Sequence, residues 1–262
     1  MASVSASTTS GNVASAPRVV RVGAVGDLHC TKNSEGQFKT MLGQLGPNVD
    51  ILLLAGDLTD YGLPEEAQVL VRELTAVNVP IVAVLGNHDY ESGQHEEITK
   101  VLVGAGVKVL DGDACEVLGI GIAGTKGFAG GFGRGTLGPW GETIVKQFVH
   151  EAVNEALKLE SALSRLRMEQ RIALLHYSPT EATVEGEPRE IFPFLGCGRL
   201  AEPLTRYPVA AVFHGHAHRG SAEGRIGEKV PVYNVALPLL RGLWPDQPPV
   251  RVIEVKVAEI RA

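Results

Sequence analysis

Apolar residues fall in short, nearly continuous runs along this chain, at residues 19–25, 49–55, 79–85 and 209–213, and each run ends in a cluster of Asp, His, Asn and Gly. Runs of that kind predict strands buried on both faces, because a strand with one wet face alternates polar and apolar positions. Helical spacing fills the gaps. Residues 38–45 read as a short helix. Residues 64–77 read as a helix opened by Pro64, with Glu65 and Glu66 in the first turn, where the positive end of the helix dipole favours carboxylates. Residues 94–103 read as a helix closed by Gly104 or Gly106, and residues 107–123 as two or three short strands. The first half is thus a run of βα units.

Residues 124–141 break this rhythm with eight glycines. A long helix is predicted over residues 142–170, where Val145, Val149, Ala152, Ala156, Leu159, Leu163 and Leu166 recur at alternating spacings of four and three. Such a seam has to be covered. The chain's own sheet is the simplest cover, and a homodimer interface or a lid are the alternatives. Residues 171–175, 209–213, 230–235 and 250–257 read as further strands, and the whole pattern predicts a layered α/β sandwich. The expected organisation is a flexible tail at residues 1–17 followed by one domain over 18–262, with the glycine loop and long helix inserted at about 124–170.

Composition narrows the function classes. A net charge of −6 and a pI near 5.8 argue against an electrostatic grip on long nucleic acid, which needs clustered Lys and Arg, but suit a small anionic substrate if metal ions supply the positive charge. Cys30, Cys115 and Cys197 are odd in number and not paired by spacing, which predicts no disulfide framework and a cytoplasmic location. The first 17 residues lack the basic start and apolar centre of a secretory signal. No stretch reaches the roughly 18 apolar residues of a spanning helix, so no membrane partner is expected.

The candidate chemistry sits at the run ends. Asp27-Leu28-His29, Gly56-Asp57-Leu58-Thr59-Asp60, Gly86-Asn87-His88-Asp89 and Gly215-His216-Ala217-His218 each follow a predicted strand, as does the isolated His176. All the donors are oxygen or imidazole, which suits divalent Mn, Fe or Zn rather than a thiolate site. Seven donors at five strand ends point to a site for two metal ions. Two stretches, 119–124 and 133–138, fit G-x-G-x-x-G, but neither has a strand before it, a helix directly after it and an acid ~20 residues on, so neither marks a dinucleotide site. His95 and His150 lie among charged residues in helical stretches and read as solvated. His214 would point away from His216 if the strand alternation persists.

The ordered set D-x-H, G-D-x-x-D, G-N-H-D, H and G-H-x-H resembles the calcineurin-like metallophosphoesterases, over nearly the whole chain apart from the tail. The resemblance implies their fold, a four-layer α/β/β/α sandwich with two central mixed sheets. It implies that Asp27, His29 and His218 bind one divalent ion, that Asn87, His176 and His216 bind another, and that Asp57 bridges both, with Mn, Fe, Zn or a mixture as cofactor. It also implies a bridging hydroxide as nucleophile and His88 as the catalytic residue that protonates the leaving oxygen or steadies the equatorial oxygens. Imidazole titrates near neutral pH and suits that task. Asp89 would orient His88 or serve the turn, and Asp60 would secure the loop or a ligand's ring nitrogen. The short spacings and the G-H-x-H ending look more like small bacterial phosphoesterases and cyclic nucleotide phosphodiesterases than like protein phosphatases.

Substrate choice is expected in two rims, the glycine loop with Lys126 and Arg134, and the segment after His176 with Arg189. The expected activity is metal-dependent hydrolysis of a small phosphodiester or phosphomonoester, the diester slightly favoured. A nuclease would call for a basic stripe, and a non-catalytic scaffold for a lost ligand; neither feature is present in the sequence.

Overall fold

The computed structural model describes residues 18–258. The first sheet is built from β1 (Arg18–Val25), β2 (Ile51–Ala55), β3 (Ile81–Val84), the two-residue β4 (Lys108–Val109) and the late β11 (Arg251–Val257), in the order β11-β1-β2-β3-β4. β1 to β4 are parallel and β11 joins β1 antiparallel, from Arg18 opposite Val257 to Ala24 opposite Arg251. Helices α1 (Lys39–Gly43), α2 (Pro64–Leu74) and α3 (His95–Gly104) connect these strands. The second sheet has β5 (Asp113–Val117), β6 (Ile120–Gly124), β7 (Arg171–Leu174), β8 (Ala211–His214), β9 (Glu223–Ile226) and β10 (Val230–Asn234), in the order β5-β6-β7-β8-β10-β9. Its four central strands are parallel and its two edges antiparallel. Helices α4 (Thr143–Arg165), α5 (Phe192–Leu195), α6 (Ala201–Arg206) and α7 (Leu237–Leu243) complete the chain.

The side-chain period of two explains the layers. In β2, Ile51, Leu53 and Ala55 face the second sheet and pack with Ile120, Ile122, Ile172, Leu174 and Phe213, whereas Leu52 and Leu54 face Leu42, Leu70, Ile98 and Leu102 of the first helical layer. The far side of the second sheet packs Ala123, Ala173 and Val212 against Leu159, Leu163 and Leu204. The expected four layers, α/β/β/α with two mixed sheets, are therefore present. The two sheets press together with no alternation visible in the sequence because each central strand is covered on both faces.

Element ends differ in informative ways. The long helix stops at Arg165 rather than at 170, because Leu166 leaves the helix and packs over Gly121 of β6, a position with no side chain of its own. Its seam is used within the chain, through Val149, Ala152, Leu159 and Leu163, while Ile144 and Leu157 stay exposed. α1 has no cap of its own; buried Glu73 of α2 accepts from the backbone N–H groups of Gly36, Phe38 and Lys39 at 2.7–2.9 Å. Strand β9 and helices α6 and α7 have no strong periodic signature and are found only in three dimensions. The three cysteines are free thiols. Among the described residues no helix is long and apolar enough to cross a membrane. The expected tail, residues 1–17, lies outside the described residues.

Candidate metal centre

Five parallel strands deliver the candidate donors to one edge of the sandwich. Asp27, Asp57 and Asn87 follow β1, β2 and β3 of the first sheet, and His176 and His216 follow β7 and β8 of the second. The carboxyl ends of parallel strands are where open α/β sheets place their ligands. The loops are locked to one another by backbone bonds: Asp27 N–H donates to Gly56 O, His29 N–H to Asp57 O, and Gly215 N–H to His176 O. Asp27, His29, Asp57 and His216 all hold positive φ, at 54°, 46°, 46° and 71°, and Leu118 is the only other non-glycine residue to do so among the described residues. Left-handed backbone in Asp and His is uncommon and is retained where the surroundings force it.

Glycines permit this closeness. A Cβ on Gly86 would run into the Asp57 carboxylate, and one on Gly215 into the Asp27 carboxylate and the Ala55 carbonyl. Gly215→Ala should therefore destabilise the fold by about 1–3 kcal/mol, as overpacking does elsewhere. A thermal unfolding midpoint equal to that of the unmodified protein would show that the loops yield freely.

The donor atoms converge in three overlapping groups, Asp27/His29/His218, His29/Asp57/His88 and Asp57/His176/His216, each with its ligand atoms within 4.8 Å of one another. His218 Nε2 lies 3.0 Å from Asp27 Oδ1 and 3.4 Å from His29 Nε2. The two oxygens of buried Asp57 face different partners: Oδ2 is 3.9 Å from His29 Nε2, and Oδ1 is 3.3 Å from His176 Nε2. Asn87 Oδ1 is 2.9 Å from the same His176 nitrogen. His176 donates Nδ1–H to the Ala55 carbonyl at 3.0 Å, which turns Nε2 inward, an outer contact that fixes tautomer and ring orientation. All seven expected donors are thus brought together.

Charge follows the geometry. Burial opposes the Asp57 carboxylate, but the facing His176 and the His88 N–H outweigh it and hold its pKa well below the usual carboxylate range. The same pair raises His176 against its burial. His216 is pushed down to about 4, by burial and then by His176, so its imidazole is neutral at pH 7. Carboxylate and amide oxygens and imidazole nitrogens converging at one point form a donor set that suits two divalent cations. The residues present fit the group.

The surrounding residues divide into expected and unexpected roles. Asp60 Oδ1 lies 3.2 Å from His29 Nδ1, a nitrogen that is buried without a hydrogen-bond partner, and the Asp60 backbone carbonyl accepts from His88 Nδ1 at 2.7 Å. Asp89 serves the turn. Its fully buried carboxylate accepts from Leu58 N–H, Thr59 N–H, Thr59 Oγ1–H and Gly86 N–H at 2.6–3.2 Å. Burial and then the Asp57 charge push that carboxyl up to about 6, against the pull of its donors. His88 therefore takes its orientation from Asp60.

Sequence reasoning missed three supports. Buried Asn234 donates to the carbonyl of Ala217, between His216 and His218, at 2.7 Å. Buried His214 accepts from Thr183 at Nε2, 2.8 Å away, and donates from Nδ1 to Gly215 O. The Phe194 carbonyl lies 3.1 Å from His216 Nε2. A polar residue closing the apolar run of β10 was the one available signal, for Asn234. His95 is not simply solvated as expected: its ring stacks on Tyr90 at 4.2 Å and its Nδ1 is buried without a partner. The sequence places it on a charged helix, and only folding sets Tyr90 against it.

Of the rim residues, Lys126 lies apart from the two arginines. Its ammonium sits 4.9–5.5 Å from the ring centres of Phe128, Tyr177 and Tyr90, donates to Gly127 O, and has its pKa lowered by burial. With Tyr90 and His95 it lines a cavity of about 520 Å³. Arg134 and Arg189, from the two different rims, line another cavity together.

The profile of the calcineurin-like phosphoesterase family matches residues 20–220, a span that contains all five motifs, and the chain belongs to that family. It is accordingly a phosphoester hydrolase by class. Similar solved structures include phosphopantetheinyl hydrolase from Mycobacterium tuberculosis, 16% identical, with 88% of this chain and 95% of that chain covered and a TM-score of 0.64. The Thermus thermophilus protein TT1561 is 13% identical, with 91% and 99% covered and a TM-score of 0.52. GAP50, described as the anchor in the inner membrane complex of Plasmodium, is 13% identical, with 84% and 72% covered and a TM-score of 0.52. At such identities the likeness is one of fold, and a fold hosts many functions. No curated protein sequence matches the chain.

Proposed function

We propose that this chain hydrolyses a small phosphoric ester at a binuclear metal centre, with Asp57 shared between two ions. The observation that carries this reading is the split Asp57 carboxylate, one oxygen toward His29 and the other toward His176. Asp27, His29 and His218 would hold one divalent ion, and Asn87, His176 and His216 the other. When bound, two such ions supply a nucleophile at neutral pH and positive charge against the phosphoryl oxygens.

The chain's own groups supply the rest. His88, 40% exposed at its side chain, faces solvent from beside the ligands, where it can hand a proton to the departing ester oxygen. Asp60 fixes the ring by taking Nδ1–H on its backbone carbonyl, which leaves Nε2 for the substrate. The five motifs carry Asp, His and Asn but no Lys or Arg, so none of their own side chains adds a cation for a dianionic terminal phosphate, which favours a diester. The free thiols suit a reducing compartment such as the cytoplasm. A homodimer through α4 would have to use its solvent face, at Ile144 and Leu157, since the seam is spent internally.

The test is a panel of chromogenic mono- and diesters, assayed with Mn, Fe or Zn and after chelation. Activity should vanish on chelation and return with metal, at two ions per chain by elemental analysis. Hydrolysis indifferent to chelation would overturn the reading, and one ion per chain at full activity would overturn the shared Asp57.

A further inference from the structure

Two loops far apart in sequence meet beside the candidate centre. The glycine loop and the segment after His176 are stitched together by Gly130 N–H to Pro193 O, Gly131 N–H to Gly196 O and Gly198 N–H to Gly131 O, at 2.7–3.0 Å. The seam between them opens into a cavity of about 360 Å³, with Arg134 from one loop, Arg189 from the other, the rings of Phe132 and Phe192, and Glu181 in its lining. Both guanidinium groups are exposed, and among the described residues neither has an ion-pair or hydrogen-bond partner. Two unpaired guanidinium groups against one carboxylate leave the cavity net positive in a chain whose overall charge is −6.

The cavity is built onto the metal-site loops. Phe132 and Phe192 pack in one apolar cluster with Ala217, which lies between His216 and His218. Two residues beyond Phe192, the Phe194 carbonyl meets His216 Nε2 at 3.1 Å. The cavity therefore shares with the donor loops an apolar cluster and the segment whose Phe194 carbonyl touches His216.

We propose that this cavity is the subsite for a second phosphate group of the substrate, carried on a nucleotide-like body whose other phosphate ester is the one hydrolysed. Guanidinium groups bind phosphate oxygens in pairs, through a rigid fork that lysine lacks. The phenylalanine rings offer faces for a flat base, and Glu181 offers an acceptor for a sugar hydroxyl. This proposal rests on the phosphoester-hydrolase reading above and names the substrate class that reading leaves open.

The experiment measures binding and turnover separately, on the metal-loaded protein and its Arg134→Gln/Arg189→Gln variant. Calorimetry compares adenosine 3′,5′-bisphosphate with adenosine monophosphate. The unmodified protein should bind the bisphosphate at least about tenfold more tightly, and the double variant should lose that gain while its affinity for the monophosphate stays within about twofold. Both arginines are exposed, so the fold should survive, and an unchanged thermal midpoint verifies it. Equal binding of the two nucleotides by the unmodified protein, or a gain that persists in the double variant, overturns the subsite. A selective gain in a protein that cleaves no ester upholds the subsite and sinks the hydrolase reading; metal-dependent cleavage without any gain does the reverse.

Discussion

Asp57→Asn should leave fewer than two metal ions per chain and remove nearly all ester hydrolysis. The amide keeps one oxygen but loses the negative charge and the equivalence of the two oxygens, and those are what let one side chain serve both His29 and His176. A shared carboxylate holds two cations at the ~3.5–4 Å that clamps the attacking and leaving oxygens of a displacement. The loop should remain folded, because Asp57 contributes its backbone carbonyl to His29 N–H and that bond survives the change. Elemental analysis beside kcat decides the matter. A variant with two ions and near-normal turnover would show that the bridge lies elsewhere.

His88→Asn should lower kcat by roughly 10²- to 10⁴-fold with both ions retained, the range expected for a general acid or base. The structure makes the metal count the critical measurement, since His88 shares a group of ligand-distance atoms with His29 and Asp57. If His88 were a ligand, its removal would cost metal first and rate as a consequence. As a proton donor it should matter less for esters of nitrophenol, a good leaving group, than for alkyl esters. Equal losses for both kinds of ester would point to charge stabilisation in place of proton transfer. Its ring is positioned by the Asp60 carbonyl, so Asp60→Asn, which keeps that carbonyl, should be far milder.

The site was legible because its parts are local. An apolar run long enough for a buried strand, followed at once by Asp, His or Asn, specifies both the scaffold and the point where the chain leaves it; five such junctions converge once the strands lie parallel. The glycines were legible for the same reason, although their purpose, admitting the Asp57 and Asp27 carboxylates, appears only when the loops touch. Asp89 shows the limit. Adjacent in sequence to His88, it was as good a candidate to orient that ring as to brace the turn, and only the fold turns its carboxylate toward Leu58, Thr59 and Gly86.

The amino-acid sequence by itself determined the donor types, their order and the α/β alternation, since these depend on side-chain chemistry and on the repeat of strand and helix. Tertiary structure alone decided the end of α4, where Leu166 finds Gly121, and the stack of His95 on Tyr90. It also brought Arg134 and Arg189 to the lining of one cavity, across a seam of backbone bonds between two loops. Loops carry no periodicity that reports their partners. Their pairing is set by the strands they depart from, and those strands find their neighbours only when the two sheets pack face to face.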